Sequence, residues 1–301
     1  MRKNLIIFCL PVVIISGCAV LSNSQLKNIN AFATAAKGYS AFPGEVVRQS
    51  QQLHYNNDIL EASALPDSAL MLRSLRQAKE QLDIGFAFSN QMDLSLQLIQ
   101  QYAALLAQLS SDDYTDELGN TTTELCASLG KTVDLFNQQL STKIPASVGS
   151  GISEIIRSIG GRVIKSKQAR ALKHFIPIAD TLIQVTRSNL VDALNTNLKT
   201  LIESYKATFQ SDFNTIVFNH IEKANYNMLR FYIQTNEDFK NVELLREKCI
   251  QAAETMASSH KELTENIMKK KSLEELLHDT KDFISQVKEL YQLAKNTCPS
   301  A

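Results

Sequence analysis

The chain has 301 residues, 44% of them hydrophobic and 21% charged, with 31 basic and 31 acidic side chains. That balance excludes a disordered chain, which would be poorer in apolar residues, and leaves no bulk positive charge for a nucleic-acid partner. The length suffices for one large domain or two small ones, each able to bury a core.

The amino terminus reads Met1-Arg2-Lys3-Asn4, then an apolar run from Leu5 to Ile15, then Ser16-Gly17-Cys18. The run is shorter than the ~20 apolar residues a bilayer span needs and contains Pro11, so it reads as a cleaved export signal rather than a transmembrane helix. Its ending, Ile15-Ser16-Gly17-Cys18, places an aliphatic residue and two small ones before a cysteine, and resembles the lipobox of bacterial lipoproteins. The resemblance covers only about the first 20 residues. It implies loss of residues 1–17, a lipid on the Cys18 thiol and acylation of the new amino terminus. Several acyl chains anchor stably where one binds marginally, so it also implies a permanent tether in the bacterial cell envelope. Ala19, rather than Asp, follows the cysteine, which in a Gram-negative host implies the periplasmic leaflet of the outer membrane. Without Arg2 and Lys3, the mature chain carries 29 basic residues against 31 acidic ones.

Residues 18–65 read as the lipid anchor followed by two short amphipathic helices, Leu26 to Ala36 and Val46 to Leu60. Residues 66–301 read as a helical bundle. Leu82, Phe86, Ser89, Met92, Leu96, Ile99, Ala103 and Leu106 recur at helical spacing, entered after Pro66-Asp67-Ser68 and ended near Ser110-Ser111-Asp112-Asp113. Thr121-Thr122-Thr123-Glu124 has the spacing of a capping box and predicts the start of a helix with Cys126, Leu129, Val133, Phe136 and Leu140 on one face, closed by Ser141 to Pro145.

The segment near 148–174 stands apart. Gly149, Gly151, Gly160 and Gly161 surround Ile152, Ile155, Ile156, Ile159, Val163 and Ile164, and Arg157, Arg162, Lys165, Lys167, Arg170 and Lys173 follow with no acidic residue among them. It reads either as a solvated bend between long helices or as a basic amphipathic stretch that contacts an anionic surface. After Gly161 the chain has no glycine, and Leu190, Leu194, Leu198, Leu201, Tyr205, Phe209, Phe213 and Ile216 mark one face of a long helix. Unbroken from Pro177 to about Thr235, such a helix would span roughly 85 Å. Leu245, Cys249, Ala252, Met256, Ser259 and Leu263 continue the pattern. A second capping box, Ser272-Leu273-Glu274-Glu275, precedes a last stripe of Leu273, Leu277, Thr280, Ile284, Val287, Tyr291 and Ala294. The fold class expected is therefore all-α: an elongated bundle of long amphipathic helices with coiled-coil-like packing.

Three cysteines remain beyond Cys18, an odd set that excludes a disulfide framework. Cys126 and Cys249 fall on apolar stripes and read as small buried hydrophobes, a disulfide between them remaining open. Cys298, beside Pro299 in the tail, is the expected exposed thiol and could link a dimer. No H-E-x-x-H, C-x-x-C pair, G-x-S-x-G or phosphate loop is present. Glu275 and His278 have the spacing of a di-metal helix, but no second copy exists, and Asp112, Asp113, Asp116 and Glu117 lack the order of a calcium loop. No cofactor or metal is expected. The expectation is a non-enzymatic, membrane-tethered envelope lipoprotein of structural, adaptor or interaction type, with another envelope protein as partner. Two alternatives stay open: a membrane-active helical bundle, similar in outline to helical pore-forming toxins, that inserts the Gly/Ile segment 148–164, and a helical enzyme with a site no motif reveals.

Overall fold

The computed structural model describes residues 21–85, 90–111, 116–159, 165–219, 225–267 and 273–297. Cys18, Arg162, Cys298 and Ser272, the first residue of the second capping box, lie outside them. Within them every regular element is helical: α1 (Asn23–Tyr39), α2 (Phe42–Ala64), α3 (Ser68–Gly85), α4 (Asn90–Leu109), α5 (Asp116–Gln139), α6 (Ala146–Ile159), α7 (Lys165–Asp192), a π-helical segment (Ala193–Leu198), α8 (Lys199–Asn219), α9 (Tyr226–Ile267) and α10 (Leu273–Thr297). The all-α fold expected from the sequence is the fold observed.

Helix α1 starts where its sequence caps it. Ser22 Oγ accepts from the Gln25 backbone N–H at 3.2 Å, while the Ser22 N–H donates to Gln25 Oε1 at 2.9 Å, a reciprocal pair that satisfies two otherwise orphaned groups. Its apolar residues Leu26, Ile29, Phe32, Ala33, Ala36 and Tyr39 are buried against α4, α9 and α10. Pro43 then occupies the first turn of α2, where its missing N–H costs nothing. The two N-terminal helices thus share one apolar core with the rest of the chain, continuous from Leu21 to Leu290.

The axis of the molecule is a helical hairpin. The run α7, π segment and α8 is helical from Lys165 to Asn219 and packs antiparallel on α9, as a ladder of contacts shows. Asp180 meets His260, the Gln184 side chain donates to the Ala257 carbonyl at 3.2 Å, Arg187 pairs with Glu254 at 3.3 Å, and Phe209 lies 5.8 Å from Tyr232. Each step forward on one helix is a step back on the other. The 42 residues of α9 alone extend about 63 Å at 1.5 Å per residue.

Several boundaries differ from the sequence reading. The long helix runs through Pro177 from Lys165 and stops at Asn219, not Thr235. A new helix begins at Tyr226 because Asn225 caps it, its side-chain oxygen accepting from the Met228 N–H at 3.1 Å. Helix α5 begins at Asp116, so Thr121 and Glu124 lie inside it rather than opening it. In α10 the buried face carries Phe283 and Leu290 as well as Thr280 and Val287, while Tyr291 is half exposed and turns its ring edge to Phe42.

Candidate interaction site

Helix ends divide the molecule into two poles. At one, the first turn of α1 meets the last turns of α9: Gln25, Asn28 and Ile29 face Leu263 and Ile267. Leu21 is already buried there, three positions after Cys18. The other pole lies at the far end of α9, where α8 ends and α9 begins. Helix α2 runs alongside α8, with the His54 ring stacked on Tyr205 at 4.2 Å and the Asn57 amide donating to Asp212 at 3.0 Å. The C-terminus of α2 is therefore level with the hairpin end, and α3 starts beside it and folds back along α2.

The second pole has an aromatic interior and an apolar exterior. Phe209, Phe213, Phe231, Tyr232 and Phe239 form one ring cluster between α8 and α9, with Phe213 and Tyr232 stacked at 4.2 Å. Outside it, Phe218 is 89% exposed, Tyr226 74% and Ile233 63%, while Leu72, 54% exposed, belongs to α3, which packs on α2. Leu70 and Leu229 are also exposed. Tyr226, Leu229 and Ile233 recur at steps of three and four, so they share one face of α9. Large apolar side chains exposed in a group mark contact surfaces more often than scattered single ones do. The sequence reading missed this end because it took residues 177–235 as one helix, which hides a tip.

A polar seam borders this pole. Asn57, 1% exposed, donates through its amide both to Glu61 at 3.1 Å and to Asp212 at 3.0 Å. Partial burial at the seam, hydrogen bonding and repulsion from Asp212, and repulsion from Asp58 push the Glu61 carboxyl up to about 7. The pair thus holds a proton at pH values where an ordinary glutamate has lost it.

Deeper in the bundle, three groups from three helices form a chain. His260 of α9 is fully buried, its Nδ1 2.8 Å from Asp180 of α7 and its Nε2 bonded to the hydroxyl of Tyr102 of α4. Burial lowers the imidazole pKa, though Asp180 opposes that effect, and burial holds the Tyr102 phenol well above its ordinary value. The Asp180 carboxylate is held below the usual range, because hydrogen bonding and charge from His260 outweigh its partial burial. A neutral imidazole donating from Nδ1 to the carboxylate must accept at Nε2 from the phenol. Phe32 packs on the ring at 5.6 Å, and the imidazole and the phenol are fully buried while the Asp180 carboxylate stays partly exposed. Such an arrangement fixes three helices in register.

The cysteines on the stripes behave as read. Cys126 and Cys249 are fully buried and free, and burial pushes the Cys126 thiol up to about 12 and the Cys249 thiol higher still. The Gly/Ile segment is partly described. Val148, Ile152 and Ile155 of α6 are buried against the rest of the bundle, with α6 packing chiefly on α7. Of the basic residues, Arg170 is exposed and Lys167 and Lys173 are half-buried on α7; Arg157 and Lys165 lie on helical backbone with side chains outside the described set. His174 pairs across to Glu154 of α6 at 2.8 Å, so an acid enters the basic surface. Along the middle of the molecule, a groove of about 390 Å³ between α9 and α10 is lined by Leu244, Lys248, Lys288, Glu289 and Leu293.

Among the described residues no helix is long and apolar enough to cross a membrane, and no group of side chains is arranged to hold a metal ion. No family model, curated protein or solved structure matches the chain.

Proposed function

We propose that the chain is a membrane-tethered helical envelope lipoprotein of structural or adaptor type, anchored by lipid on Cys18 and bound along its long helices to another envelope protein. The observation that carries this reading is the position of Leu21. A lipid on Cys18 would be separated from the packed core by three residues, which reach at most about 10 Å, so the anchor-side pole would sit directly on the membrane and the helices would project from it. A protein fixed this way presents faces rather than diffusing to a substrate. The groove between α9 and α10, apolar at Leu244 and Leu293 and flanked by Lys248, Lys288 and Glu289, offers such a face.

Insertion of segment 148–164 as a membrane-active element would first withdraw Val148, Ile152 and Ile155 from the core, at roughly 1.5–3 kcal/mol for each buried side chain. Cys18→Ser tests the anchor: metabolic lipid labelling should vanish and the protein should move from membrane to soluble fractions. Membrane retention without labelling would overturn the tether. Cross-linking in the native host, with a photoreactive residue at Leu244, should capture an envelope protein.

A further inference from the structure

We propose that the outward face of α9 from Leu229 to Lys248 pairs antiparallel with the same face of a second copy of the chain, each copy laying Leu229 and Ile233 into the other's α9–α10 groove. The inference deepens the adaptor reading, on which it rests for treating that groove as a contact face, and it commits to the occupant. Leu229, Ile233, Glu237, Lys240, Leu244 and Glu247 recur at steps of three and four, so they share one face of α9, and all six are exposed. Arg230, beside Leu229, is exposed with them. The opposite face, with Thr235, Phe239, Val242, Leu245 and Cys249, is buried in the bundle.

Charge and symmetry name the occupant. A two-fold axis midway between Glu237 and Lys240 sets Glu237 against the partner's Lys240, Ile233 against the partner's Leu244 and Arg230 against the partner's Glu247. The same axis lays Leu229 on the aliphatic stem of the partner's Lys248. Every such pair occurs twice, because both copies use one surface. Within one copy Glu237 and Lys240 already pair at 2.6 Å, so the dimer joins two couples into a four-charge network. A slide of one turn either way brings Glu237 onto the partner's Glu237 or Lys240 onto the partner's Lys240, and like charges reject both registers. The other charged groups of this stretch are engaged within the chain: Asp238 accepts from Gln234 at 2.9 Å, Glu243 pairs with the buried Arg246 at 3.0 Å, and Lys248 with Glu289 of α10 at 3.1 Å. The groove, about 390 Å³ and apolar at Leu244 and Leu293, receives the aliphatic side chains. The paired stretch is about 28 Å long, a contact of the small, transient class that buries less than about 1,200 Å².

The test uses the body from Ala19 onward, which contains every described helix, with Cys298→Ser to remove a disulfide route to a dimer. Sedimentation velocity in reductant, between about 10 and 500 µM, should show a dimer that grows with concentration. Lys240→Glu should weaken it at least about tenfold, Glu237→Lys likewise, and the two together should restore it to within about threefold, because the combination re-forms both pairs with the signs exchanged. Ile233→Ser with Leu244→Ser should abolish it, while circular dichroism and Tm stay unchanged because both side chains are exposed. A chain that stays monomeric throughout, or a dimer indifferent to these variants, would overturn the proposal. A monomer whose photoreactive residue at position 244 captures a different envelope protein would also overturn it, and would leave the adaptor reading standing. A dimer in a chain that Cys18→Ser fails to release from membranes would uphold the pairing and overturn the tether.

Discussion

At the scale of single residues, the buried chain Tyr102–His260–Asp180 is the most exacting part of the molecule. Tyr102→Phe removes the donor to a fully buried imidazole and leaves its Nε2 unsatisfied, so it should cost about 1–3 kcal/mol in urea unfolding. The histidine also gives the fold an acid limit. Its folded pKa lies below the unfolded one, so the unfolded chain binds the proton first, and stability falls as pH drops below about 6.5. Asp180, whose folded pKa is depressed, loses its contribution at still lower pH. His260→Gln should flatten the upper part of that decline, visible in Tm against pH. Glu61 has the opposite sign. Its folded pKa is raised from 4.5 to about 7, so the stability it adds is full below about 4.5 and disappears as pH rises through 7. Glu61→Gln, which keeps a donor for Asp212, should make the α2–α8 seam insensitive to pH, read by hydrogen exchange of α2 at pH 5 and pH 8. None of these partners was legible in the sequence. The residues are 78 positions or more apart on separate helices, apart from the Asn57–Glu61 turn, and only a folded backbone brings them together.

At the scale of helices, periodicity carried far because a buried face must recur every three or four residues. The stripe from Leu245 to Leu263 is buried as read; the stripe read from Leu82 to Leu106 as one helix is divided between α3 and α4, and its part from Met92 to Leu106 is buried. Ends were less legible, since capping is local and easily imitated: Thr121-x-x-Glu124 has the letters of a start inside a helix already begun. Asn225, a true start, lacked the glutamate that draws attention to a cap. Gly151 shows what glycine does in α6. A Cβ there would stand 2.7 Å from Ile178 Cδ1 and 2.8 Å from its Cγ2 across the α6–α7 contact, and the branch carbon cannot swing away freely. Gly151→Ala should therefore destabilise the protein by about 1–3 kcal/mol despite alanine's better helix propensity, whereas Gly149→Ala, which meets nothing within 4 Å, should be neutral or stabilising. Comparative Tm values of the two variants check this. A second local feature, the π segment, is held by Arg246 of α9. This arginine is 3% exposed, donates to the Leu194 carbonyl and to Asn195 Oδ1 at 3.5 Å each, and is charge-paired with Glu243 at 3.0 Å. Widened turns leave backbone groups poorly bonded, and the guanidinium supplies the donors.

At the scale of the molecule, the α9 helix sets a minimum length of about 63 Å, which is long for a chain of this mass. Small-angle scattering of the body from Ala19 should give a maximum dimension above that value. The thiols report on the same packing: in folded, reduced protein, Cys126 and Cys249 should react slowly until denaturant is added. Fast reaction would mean that the faces of α5 and α9 open in solution. What composition and periodicity could not supply was the pole. Exposure of Phe218 and Tyr226 depends on where the hairpin turns, and the hydrophobic pattern on either side of the turn is continuous.

The ladder between α7–α8 and α9 also decides how the molecule carries force. Polar contacts recur at Asp180–His260, Gln184–Ala257, Arg187–Glu254 and Leu194–Arg246, spread over more than three turns. Sliding one helix past the other by a single turn of about 5.4 Å would break all four at once and carry His260 and Arg246 away from their buried partners. No intermediate shift re-forms them. A push or pull on the hairpin end is therefore delivered to the opposite end as displacement of the whole hairpin, and the molecule loads as a strut, with stiffness set by polar contacts that a purely apolar seam of the same length would lack.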